Sequence, residues 1–322
     1  MSSFLKNRLF VRVYRQFARN MADNNSHSTD SNGSALETSE QQLSAETELT
    51  ATTRRGILAA TSVTLAGVTG LSATTLTATA APWDIERIEI DDGLLGWSAD
   101  GSLPVTDELF VFIHGWFGDS TARSQADDVL GSIESGGFSP DESVVLEWPA
   151  STVNYFGAER DTEDVGEVAA GLAAEFYDNG GGSIRLVGHS LGGRCVLWTA
   201  DKLGSGYELE TVASLGAAAD GSAVCGSPWN DGLANTCEVR NYHSENDSTV
   251  GGAYGGLGDT ALGNEGAGCS PADNYTDIDV TASVGGHLEF LGDEAVGSDL
   301  ADAINSGSCT DNDDDDDDDG WW

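Results

Sequence analysis

The sequence predicts an α/β protein, with a mostly parallel central sheet and helices on both faces. Short apolar runs at 109–113, 144–146, 184–187 and 212–215 alternate with segments whose apolar residues recur at helical spacing. That alternation is the βαβ rhythm of a parallel sheet covered on both sides. One run stops at a glycine-flanked serine that leads straight into a helical pattern, a strand–turn–helix passage. No internal repeat is visible, and 322 residues suffice for one large domain plus tails.

In chain order, residues 85–90 read as the first strand and 109–113 as a buried one. Ala122, Ala126, Val129, Leu130 and Ile133 predict a helix, as do Val165, Val168, Ala169, Leu172, Ala173 and Phe176. Residues 184–187 form the strand before the serine turn, and 237–243 alternate like a late strand. The stretch between Gly216 and Cys237 is Gly-rich and lacks helical periodicity. The Gly-rich stretch 251–268 is a second insertion, expected at the rim of a site.

The turn itself is Gly188-His189-Ser190-Leu191-Gly192. Ser190 must occupy a tight turn for its hydroxyl to stand clear of the sheet, and side chains at Gly188 and Gly192 would collide there. The helix that starts next puts the Leu191 backbone N–H where an oxyanion would form. Upstream, Glu108-Leu109-Phe110-Val111-Phe112-Ile113 ends in His114-Gly115-Trp116-Phe117-Gly118. A loop without a side chain at Gly115 can bring a second N–H, that of Trp116, to the same carbonyl. His114 reads as a hydrogen-bonded structural residue.

The His-Gly loop, the serine elbow and their order resemble the α/β-hydrolase superfamily over residues 85–304. The resemblance implies an α/β-hydrolase fold, with triad partners following as Ser, then Asp or Glu, then His. An acid just past a late strand takes the superfamily's acidic position, which selects Asp247, with Asp220 and Glu245 as alternatives. His287, between the last strand and the last helix, takes the position of the base. His243 lies inside the strand and reads as a packed histidine. Superfamily members often carry a helical lid where this chain has 216–237, so the resemblance implies no helical lid domain here. The implied activity is cleavage of carboxylic esters, esterase or lipase in type, on a small-molecule or lipid ester. An amidase, peptidase or acyltransferase on the same triad is the nearest alternative. A non-catalytic binding protein with the same fold is the other. This chemistry requires no cofactor, although the carboxylate supply would allow a structural calcium.

Composition narrows the setting. Fifty-four acidic residues face 14 basic ones, for a net charge of −40. Seven of the basic residues lie at or before Arg55, and Lys202 is the single lysine beyond it. Such a surface repels itself at low ionic strength and suits concentrated salt, where the Debye length falls to about 3 Å. It resembles secreted haloarchaeal enzymes. Nucleic acid is not an expected partner of the domain, because phosphate binding needs clustered Lys and Arg.

The chain divides into four regions. Residues 1–53 read as a disordered extension, rich in Ser, Thr, Asn and Glu over 22–53 and with five basic residues and no acid over 1–20. Residues 54–81 resemble a twin-arginine export signal, with Arg54-Arg55 ahead of a weakly apolar stretch and Ala78-Thr79-Ala80 as cleavage site. The export machinery is therefore an expected partner, the location extracellular, and no stable membrane anchor is expected after cleavage. Residues 82–308 are the hydrolase domain, and 309–322 an Asp-rich disordered tail. Of five cysteines, Cys195 reads as a buried thiol. Cys225 with Cys237, and Cys269 with Cys309, is one pairing among several.

Overall fold

The computed structural model describes residues 85–307, apart from positions 95, 257 and 258. The extension, the export signal and the Asp-rich tail expected above lie outside these residues. The sheet has eight strands in the order β2-β1-β4-β3-β5-β6-β7-β8. They are β1 (Glu86–Gly93), β2 (Gly96–Ala99), β3 (Glu108–Ile113), β4 (Glu142–Glu147), β5 (Ser183–His189), β6 (Leu209–Leu215), β7 (Thr236–His243) and β8 (Tyr275–Asp279). Only the β1–β2 hairpin is antiparallel; every other neighbouring pair is parallel.

Alternation within the strands builds two cores. Leu109, Val111 and Ile113 of β3 face one, with Ile184 and Leu186 of β5. Phe110 and Phe112 face the other, with Val145 and Val187. The first core is covered by α2 (Tyr155–Asp178) and α3 (Leu191–Lys202), the second by α1 (Ala122–Ser135) and α6 (Glu294–Ser306). Burying both faces explains why β3 reads as a continuous apolar run. This is the expected α/β-hydrolase fold, a mostly parallel sheet with helices on both faces.

Two features position the serine turn. The chain leaves β3 for β4 on one side and returns to β5 on the other, so β3 and β5 flank a topological switch point. In open α/β sheets, ligand sites form outside the carboxyl ends of the strands at such a point. Second, Gly166 of α2 lies against α3, where a Cβ would collide with that of Trp198 and lie 3.0 Å from the Thr199 amide nitrogen. This glycine sets how closely α2 can press on the helix that begins at the serine turn.

The two Gly-rich insertions carry only short helical segments. Residues 216–235 hold two 3-10 turns, Gly221–Val224 and Gly232–Asn235. The stretch 251–268 is partly helical, with α4 (Ser248–Tyr254) and α5 (Leu262–Glu265). The cysteine pairing needs correction, because Cys225 bonds Cys269, 44 residues away, and not Cys237. Gly221 packs on the backbone at Gly266 and Ala267, which brings the two chain segments together. Cys237 sits in β7 and is itself disulfide-bonded. Cys195 is a buried free thiol, as expected. No helix among the described residues is long and apolar enough to cross a membrane.

Candidate active site

Ser190 lies between β5 and α3 with φ 60° and ψ −118°, a strained backbone for a residue with a side chain. Its neighbours make that turn feasible. A Cβ on Gly188 would collide with the Gly192 carbonyl, and one on Gly192 with the carbonyl of Ile113 at the end of β3. The turn is held by Ser190 N–H donating to Leu215 O (3.0 Å), and by the Gly193 and Ala218 amides donating to Ser190 O (3.0 and 3.1 Å). Leu191 opens α3, so its N–H has no intrahelical acceptor.

The His-Gly loop reaches the same point from β3. A Cβ on Gly115 would lie 2.7 Å from Ser190 Cβ and 2.8 Å from His189 O, so only glycine permits the approach. Trp116 comes next, and its indole N–H donates to Thr152 O at 2.8 Å. Its ring packs on Phe117 (4.5 Å between centroids) and edge-on to Tyr155 (5.1 Å). Phe117 takes a positive φ of 58° to turn the loop. His114 is fully buried and structural. Its Nε2 accepts from the Trp148 amide at 3.1 Å, which leaves Nδ1 to donate to Gly115 O at 2.8 Å. Burial pushes its pKa down.

Asp247 lies beyond β7 and has no exposed surface. Its Oδ1 accepts from the Thr249 and Val250 amides (3.1 and 3.0 Å), so the acid also caps α4. Its Oδ2 lies 2.7 Å from His287 Nδ1, and His287 Nε2 lies 2.9 Å from Ser190 Oγ. Gly216, at φ 54°, leaves room for this carboxylate, since a Cβ there would lie 3.2 Å from Oδ2. The structure thus brings Ser190, His287 and Asp247 into one buried hydrogen-bonded chain. The alternatives lie apart from it. Asp220 caps a 3-10 turn through the Ser222 amide at 2.8 Å, and Glu245 is exposed. His243 ends β7, with Nδ1 3.4 Å from Asn264 O.

Sequence reasoning missed the residues that tie the Asp247 loop to the His287 turn and to α5. Ser244 Oγ–H and the Asn246 side-chain amide both donate to Val284 O (2.7 and 3.0 Å). Asn264 donates to Ser244 O and Asp247 O (2.9 and 3.2 Å). His189 was missed too, although a polar residue closing a buried run is a visible signal. Among the described residues, no group of three or more His, Cys, Asp or Glu is placed to hold a metal ion.

No protein-family model and no curated protein matches the chain. Solved structures do. A lipase of Bacillus licheniformis, BlEst2 in its mature form, is 16% identical over 64% of this chain and 93% of its own, with a TM-score of 0.37. An esterase of Pyrobaculum calidifontis is 15% identical over 69% of this chain and 85% of its own, with a TM-score of 0.36.

Proposed function

We propose that this chain is a secreted, salt-adapted serine hydrolase that cleaves carboxylic esters through an acyl-enzyme on Ser190. One observation carries the reading: the buried chain from Ser190 Oγ through His287 to Asp247, at 2.9 and 2.7 Å. In this geometry Ser190 donates its proton to His287 Nε2 as Oγ attacks the ester carbonyl. His287 Nδ1–H stays bonded to Asp247, which fixes the tautomer and stabilises the imidazolium. The imidazolium then returns its proton to the leaving alkoxide, and water repeats the sequence in reverse to release the acid. The Leu191 and Trp116 amides are the proposed oxyanion donors, each worth about 3 kcal/mol in the transition state. Secretion and salt adaptation rest on Arg54-Arg55, the stretch after it and the net charge of −40.

The test is fluorophosphonate labelling in multimolar salt of protein recovered from the culture medium, with the labelled residue located by mass spectrometry. Ser190 should carry the label. Ser190→Ala and His287→Ala should abolish it and lower kcat for p-nitrophenyl esters by about 10⁴-fold or more. Full ester hydrolysis by folded Ser190→Ala would sink the mechanism. An Arg54→Lys, Arg55→Lys variant should be missing from the medium, and its normal appearance there would sink the export route.

A further inference from the structure

The proposed mechanism makes no use of His189, the residue before the nucleophile. It closes β5, is 3% exposed, and its Nε2 lies 2.7 Å from the backbone oxygen of His287. A carbonyl only accepts, so this Nε2 carries the ring proton and donates it. The two imidazole rings lie 4.7 Å apart, inclined by 40°, and Phe290 lies 6.5 Å from the His189 ring.

His287 needs such a hold. It lies in the turn between β8 and α6, outside any regular element. The earlier part of that turn is tied by Val280 N–H to His243 O (3.0 Å) and by the bonds to Val284 O. The carbonyl of His287 itself is bonded by His189. Consecutive residues of one rigid strand end therefore grip His287 at two points: His189 at its backbone oxygen and Ser190 at Nε2.

We propose that His189 is a positioning residue for His287, whose Nε2–H bond to the His287 carbonyl sets the imidazole between Ser190 and Asp247. The proposal rests on the reading of those three residues given above. A shift of about 1 Å in such a group can cost about 100-fold in rate. The grip also survives turnover. Burial first, then the neighbouring His287 ring, push the His189 pKa down to about 3, against the raising effects of the bond to the His287 carbonyl and, less, of Asp247. The ring therefore stays neutral, in one tautomer, while His287 gains and loses its proton.

The experiment compares His189→Gln with His189→Met in the full-length secreted protein. The glutamine amide nitrogen reaches the place of imidazole Nε2; methionine matches its length and has no N–H. The Met variant should lose up to about 100-fold in kcat with KM little changed, and Gln should restore most of it. Wild-type kcat in folded Met, or a Gln variant as impaired as Met, would overturn the role. A third readout needs no substitution. Ring nitrogen spectra of the wild type should show His189 neutral and protonated at Nε2 wherever the enzyme is active. A ring protonated at Nδ1, or titrating in that range, overturns the proposal even if both variants misfold. Wild-type protein that takes no label at Ser190 removes the triad reading and this proposal together. A labelled wild type with an unimpaired Met variant removes only the role of His189.

Discussion

At the scale of single residues, the site combines strain with close contact. Ser190 holds a backbone conformation that costs about 1–3 kcal/mol, and the contacts of Gly115, Gly188 and Gly192 leave no room for side chains around it. The buried histidines add a pH dependence. His189 is pushed down to about 3, whereas an unfolded histidine titrates near its ordinary value of 6.5. The unfolded chain therefore binds the extra proton between those values, and folding loses stability as pH falls through that window. The full difference is about 5 kcal/mol, with His114 shifted in the same direction. Denaturant unfolding at fixed salt should show stability falling below about pH 6.5, and a His189→Gln variant should flatten that slope. Equal slopes in the two proteins would contradict it.

At the scale of elements, α3 begins directly after Ser190 and packs against α2. A Cβ on Gly166 would collide with that of Trp198 on α3, so Gly166→Ala forces the helices apart. It should cost about 1–3 kcal/mol by overpacking, read as a lowered denaturant midpoint. An unchanged midpoint would mean that the helices already have slack there. The elements with clear periodicity were legible in the sequence, namely α1, α2, α3 and the central strands. Others were not, for identifiable reasons. β8 (Tyr-Thr-Asp-Ile-Asp) is an exposed edge strand, so water and not a core faces most of its side chains. β2 is four residues long and held by hairpin pairing to β1. α4 contains Gly251 and Gly252, which disfavour helix, but Asp247 caps its first turn. The residue expected as the acid thus also stabilises the helix that the sequence hid.

For the whole molecule, the acidic excess outweighs every other feature. Among the described residues, Arg87, Arg185, Arg194, Lys202 and Arg240 each lie against a carboxylate. Most of the acidic excess has no protein cation to face and relies on ions from solution for screening. Thermal stability should rise as salt increases from about 0.1 M to multimolar, where the Debye length falls from about 10 Å to 3 Å or less. A melting temperature indifferent to salt would remove the case for salt adaptation. The Cys225–Cys269 bond adds a covalent tie between the two insertions, so Cys269→Ala should cost about 2–4 kcal/mol. No measurable loss in that variant would show that backbone packing around Gly221 suffices.

The sequence by itself determined the βαβ architecture, because burial on two faces demands continuous apolar strands and periodic helices. It also selected Ser190, since the turn needs glycines on both sides, and it pointed to Asp247 and His287 through order along the chain. Only the tertiary structure decided that Asp247, and not Asp220 or Glu245, lies beside His287. Carboxylates are abundant in this chain, and local sequence carries no record of which one faces a residue 40 positions away. The cysteine pairing and the grip of His189 on His287 were hidden for the same reason. Each joins segments far apart in sequence, and their distance is set by how the sheet and its insertions pack.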